Sequence, residues 1–128
     1  MEKLVNCDII IDIECIEMIS GANQKFEILF VTKDKKKYKI IFDFVWDMRY
    51  SIENGYIDRF SKFIRNANKE SNVLMVENSE YVEYFKKQVS GTRPVDDIKN
   101  YILFDAIDTV VEILTIREPI LIEIQKHK

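Results

Sequence analysis

Three stretches within the first 45 residues place apolar side chains at every second position, and a chain patterned in that way must lay one face of each stretch against a core. From Cys7, the odd positions Cys7, Ile9, Ile11, Ile13 and Cys15 are apolar, while Asp8, Asp12 and Glu14 share the other face with Ile10. In FEILFVT, Phe26, Ile28 and Phe30 alternate with Glu27, Leu29 and Val31; in YKIIFDFV, Tyr38, Ile40, Phe42 and Phe44 alternate with Lys39, Ile41, Asp43 and Val45. The intervening SGANQ and Lys33 to Lys37 read as turns, with Gly21 and Asn23 suited to positive φ. The expectation is a three-stranded antiparallel meander.

The period then changes. On a helical wheel, Val45, Met48, Ile52, Tyr56, Phe60, Phe63 and Ala67 share one sector, which predicts an amphipathic helix beginning near Asp47 as N-cap, with Gly55 inside it. FDFVWDMRYSIENGYIDRF is thus expected to be a strand-to-helix corner. Arg49 and Glu53 fall at about 40° and 80° from Val45, inside the apolar sector, with Trp46 and Tyr50 at its rim. Such a pair either fixes the helix onto the sheet or lines a cleft beside Trp46, and the first reading is favoured because buried ion pairs without a catalytic partner are commonly orientational.

SNVLMVE predicts a short strand, and EYVEYFKKQVS a helix capped by Asn78 or Ser79, closed by Gly91 and striped by Tyr81, Val82, Phe85 and Val89. TRPVDD is a loop. Ile98 to Thr115 scatters its apolar residues around a helical wheel but reads well as two strands, KNYILFD and TVVEILT, and EPILIEI adds a last one with Pro119 at its start. The expected fold class is therefore α+β: a largely antiparallel sheet, made of an N-terminal three-stranded meander plus a C-terminal hairpin, with two helices packed on one face. Residues 1–128 fit one domain.

Several function classes lack their chemistry. The single histidine, His127, stands next to the last residue, so Ser-His-Asp and Cys-His arrangements have no histidine to use. No glycine-rich phosphate loop and no CxxC pair occurs. Cys7 and Cys15 are too far apart along an extended strand to bridge each other, and read as buried thiols or as a link to another chain. Asp8, Asp12 and Glu14 form a row that could hold a divalent metal for phosphodiester chemistry, the reading of a metal-dependent nuclease. Acids at alternate positions are ordinary on a half-exposed strand, and that reading ranks below a solvated sheet face. No cofactor is expected.

Charge is uneven. Residues 1–32 carry six acids and two bases, whereas Lys33 to Lys39 carries five lysines and one aspartate, within a net charge of -3. The acidic balance argues against generic nucleic-acid binding, and the lysine turn is read as a solubilising cap. No apolar run reaches the ~18 residues of a membrane span, and the N-terminus MEKLVNCDIIIDIE lacks a secretory layout, so the expected compartment is the cytoplasm. With helices on one sheet face, the other would show Asp8, Asp12, Glu14, Glu27 and Asp43 around aliphatic residues, a surface for a protein partner or a second copy of the chain.

The small acidic chain, with YKIIFDFVWDMRYSIENGYIDRF at its centre and a late YILFDAIDTVVEIL hairpin, resembles the bacterial immunity proteins that neutralise polymorphic or contact-dependent toxins. The resemblance spans most of the chain. It implies a cytoplasmic inhibitor without catalysis that binds a cognate toxin domain, often a basic nuclease, through an acidic surface. The five-lysine turn departs from that pattern. Candidate partner-binding residues are Asp8, Asp12, Glu14, Glu27, Asp43, Trp46, Arg49, Tyr50 and Glu53. The alternative is a homodimeric structural or regulatory module.

Overall fold

The structure, a computed structural model, describes residues 2–52, 71–89, 97–107 and 109–125. Their strands are β1 (Lys3–Asn6), β2 (Cys15–Ala22), β3 (Lys25–Val31), β4 (Lys37–Phe42), β5 (Val45–Ile52), β6 (Val73–Glu77), β7 (Lys99–Phe104), β8 (Thr109–Thr115) and β9 (Ile120–Ile124), with one helix, α1 (Glu80–Val89), after β6. They form two antiparallel sheets, one of five strands in the order β1-β6-β7-β8-β5 and one of four in the order β2-β3-β4-β9.

The two sheets stack. Ile28, Phe30, Ile40 and Phe42 of the smaller sheet share a core with Val73, Tyr101, Leu103, Val111 and Ile113 of the larger. On its other face the five-stranded sheet buries Leu74, Val76, Ile102, Phe104 and Val110, and there Leu114 packs with Tyr81 and Val82 of α1. Strands β7 and β8 are consequently buried on both faces, which is why their sequences run apolar without alternation.

This overturns the expected class. The sheet face carrying Ile28, Phe30, Ile40 and Phe42 is covered by a second sheet rather than by two helices, and α1 is the only helix among the described residues. The predicted helix fails at its start, because Val45–Ile52 is a strand paired with β8. A β-bulge explains the misleading period. Val45 pairs with Thr115 and Asp47 with Leu114, so Trp46 is an extra residue, and the inward-facing Val45 and Met48 lie three apart, as they would in a helix. The remainder of that predicted helix, from 53 onward and including Gly55, lies outside the described residues, as do Gly91, most of the TRPVDD loop and His127.

The first predicted strand is also displaced. Residues 7–14 belong to neither sheet and link β1 in one to β2 in the other. Their odd positions do face the core, with Ile13 fully buried and Cys7, Ile9 and Ile11 packed against it. Their backbone is satisfied elsewhere: the Ser71 hydroxyl accepts from the Ile11 amide and lies within reach of the Ile9 carbonyl, the Asn72 amide donates to Ile11, and the Glu14 amide donates to Val31. Cys15 to Ala22 form β2, which takes in the end of the predicted strand, the unassigned residues 16–19 and the first three residues of the predicted SGANQ turn.

Other expectations match. Strands β3, β4, β6, β7, β8 and β9 stand where the sequence placed them, and Pro119 immediately precedes β9. The Ser79 hydroxyl caps α1 by accepting from the Val82 amide at 3.0 Å, while donating to the Asn100 amide oxygen at 2.8 Å. At the β2–β3 turn the positive φ angles belong to Asn23 and Gln24 rather than Gly21. Gly21 serves a close approach instead, since a Cβ there would sit 2.2 Å from the Lys25 carbonyl oxygen.

Candidate partner-binding surface

The acids read as one row are dispersed by the fold. Asp8 lines a cavity on the β1 side of the larger sheet. Asp12 accepts from the Lys33 amide at 2.7 Å, holding the interstrand connection against the lysine turn. Glu14 engages through its backbone, donating to Val31 and accepting from Ala106. Glu27 pairs with Lys39 at 3.3 Å on the outer face of the smaller sheet, where Leu29 and Ile41 also lie. Asp43 pairs with Arg117 at 3.1 Å. Among the described residues no three His, Cys, Asp or Glu side chains converge as metal ligands.

Arg49 sits on β5 opposite Glu112, with its guanidinium 3.7 Å over the Tyr81 ring. The Tyr81 hydroxyl donates to Asp47 at 2.7 Å. Burial first, and then the Asp47 carboxylate, push the Tyr81 phenol well above its ordinary range. Trp46 packs between Phe44 and Phe85. Arg49 and Trp46 therefore join β5 to α1. Glu53 lies outside the described residues.

Tyr50 has a different setting. It points toward the sandwich side of β5, the edge strand of the larger sheet, and β2 is the edge strand of the smaller one. Between those edges runs a groove of about 330 Å³ lined by Ile16, Met18, Ile19, Met48, Tyr50 and Thr109, with Glu17 at the bulge in β2. Around it, Met18 is 56% exposed, Tyr50 58%, Ile52 46%, and Ile107 in the adjoining β7–β8 turn 61%. The turn is held against β2 by Asp105, whose carboxylate accepts from the amides of Ile16, Ile107 and Thr109 at 3.0, 3.0 and 2.9 Å.

Sequence reasoning found Tyr50 and missed the rest of the groove. Its signal was IEMI after Cys15, an apolar cluster between the predicted strand and the SGANQ turn that was given no role. No protein-family model, curated protein or solved structure matches the chain. No helix among the described residues is long and apolar enough to cross a membrane.

Proposed function

We propose that this protein is a non-catalytic protein-binding module that engages its partner through the groove between β2 and β5. One observation carries the reading: large apolar side chains, Met18, Tyr50, Ile52 and Ile107, stand exposed around a groove where both sheets end. Aromatic and methionine side chains in a concave apolar patch are the composition that binding hot spots favour. Edge strands also offer backbone groups to an incoming extended segment. The resemblance to immunity proteins suggests the partner's kind, a toxin domain held inactive in the cytoplasm. The acids that would steer a basic partner are spread over several faces, so apolar contact supplies the attachment and charge the approach.

The test is capture with the wild-type chain and with a Met18→Glu/Tyr50→Glu variant that keeps its thermal midpoint. A partner retained by the wild type, lost by the variant, and inactivated at one-to-one stoichiometry supports the reading. Equal retention by both chains, or a bound partner of undiminished activity, overturns it. A second copy of this chain would fill the same groove in the homodimer alternative. Sedimentation at dilute concentration separates the two, since only that alternative requires a stable dimer.

A further inference from the structure

We propose that the cavity between β1, β7 and the β8–β9 connection binds a primary alkylammonium group, with Asp8, Glu118 and Tyr101 as its three oxygen acceptors. The site lies on the β1 side of the larger sheet, away from the β5 groove, and does not rest on the role given to that groove.

The cavity measures about 170 Å³. At ~30 Å³ for each water in the liquid, that is the space of about five non-hydrogen atoms, the size of a short alkylamine. Its walls are of two kinds. Ile9, Met75 and Pro119 offer apolar surface, while Asp8 and Glu118 bring two carboxylates from connections far apart in sequence. Among the described residues neither acid makes an ion pair or a side-chain hydrogen bond.

Tyr101 supplies the independent observation. Its side chain is 2% exposed, packed edge-on against Phe42 at 5.6 Å, and lines the cavity, yet its hydroxyl has no hydrogen-bond partner among the described residues. The ring is buried but the hydroxyl oxygen is not sealed off, so it opens to the cavity and is available to a ligand atom. Burial pushes this phenol up to about 12, with further contributions from Cys7, Glu118 and Asp8, which line the same cavity.

The donor set selects the ligand class. Two carboxylates without a counter-cation exclude an anion. A metal ion would need three or more converging ligands, and among the described residues no such group of His, Cys, Asp or Glu forms. A primary ammonium carries three N–H donors on an apolar stem, matching three oxygen acceptors on apolar walls. The same group occurs on a free amine and on a lysine side chain.

The experiment is an amide-resolved NMR titration of the full chain with n-butylammonium chloride, Nα-acetyl-lysine methylamide, and 1-butanol as the uncharged control. Saturating shifts at Cys7, Ile9, Met75 and Tyr101 with either cation but not with 1-butanol are expected. Preference for the lysine derivative would assign the site to a side chain, and preference for butylammonium to a free amine. An Asp8→Asn/Glu118→Gln variant should weaken binding about tenfold or more. Its acids are exposed, so its fold should persist. Absence of saturating shifts with both cations, equal response to 1-butanol, or unchanged affinity in the double variant overturns the proposal.

Discussion

The Tyr81 hydroxyl donates to Asp47 Oδ2 across 2.7 Å and joins the only described helix to an edge strand 34 residues earlier. Arg49 covers the same ring from above at 3.7 Å, so one tyrosine holds both polar side chains that β5 presents to α1. Tyr81→Phe should lower stability by about 1.5–3 kcal/mol, the range for a hydrogen bond to a charged group, and Arg49→Ala by about 1 kcal/mol through the lost ring contact. Urea midpoints at unchanged m would measure both. Loss of partner capture in Arg49→Ala without any stability change would show that Arg49 contacts the partner instead.

Alkaline pH should loosen the fold. Tyr81 and Tyr101 both keep their protons to higher pH in the native state than the 10.0 of an open chain, Tyr101 to about 12 and Tyr81 beyond. Above pH ~10 the unfolded chain therefore holds fewer protons than the folded one, and stability falls as pH rises through that window, having been complete below it. Tyr101→Phe should flatten this decline. At neutral pH the same substitution should cost little, because the hydroxyl it removes is unpaired, whereas Tyr81→Phe should be costly. Chemical denaturation at pH 7 and 11 distinguishes the two tyrosines.

The β2–β3 turn should respond in opposite directions to two small changes. Gly21→Ala drives a methyl to within 2.2 Å of the Lys25 carbonyl oxygen and should cost about 1–3 kcal/mol. Gln24, at φ 69, pays for a left-handed backbone, and Gln24→Gly should stabilise by about 1 kcal/mol because the Asn-Gly pair suits this turn. Thermal midpoints would report each shift.

Asp105 should be among the least replaceable polar residues. It is 5% exposed and accepts from three amides that tie β2 to the β7–β8 turn. Asp105→Ala would strand those donors and should cost about 3 kcal/mol or more, with Asp105→Asn intermediate. Hydrogen exchange at Ile16, Ile107 and Thr109 should accelerate together. Faster exchange at one amide alone would contradict the shared anchor.

Much of the strand content was legible, because β3, β4, β6, β7 and β8 each bury at least one face and their patterns report it. The partner-binding candidates were less so. Asp8, Asp12, Glu14, Glu27 and Asp43 were grouped by alternation, yet Asp12, Glu27 and Asp43 meet different neighbours, Glu14 engages through its backbone and Asp8 lines a cavity. The groove depended on which edge strands the two sheets leave beside each other, a relation that pairs residues 16–19 with 48–50 across the sandwich.

The sequence by itself determined which side chains turn inward. Ile9, Ile11 and Ile13 face the core as their spacing required, although no ladder pairs them. Alternation measures one-sided burial and says nothing of the backbone's partner. Only the tertiary structure decided that a second sheet covers the first, that 7–14 crosses between them, and that Val45 to Ile52 is a strand. The decisive device there is one extra residue at Trp46. A single bulge changes the spacing of inward residues from two to three, and a local period cannot distinguish that from a helical turn.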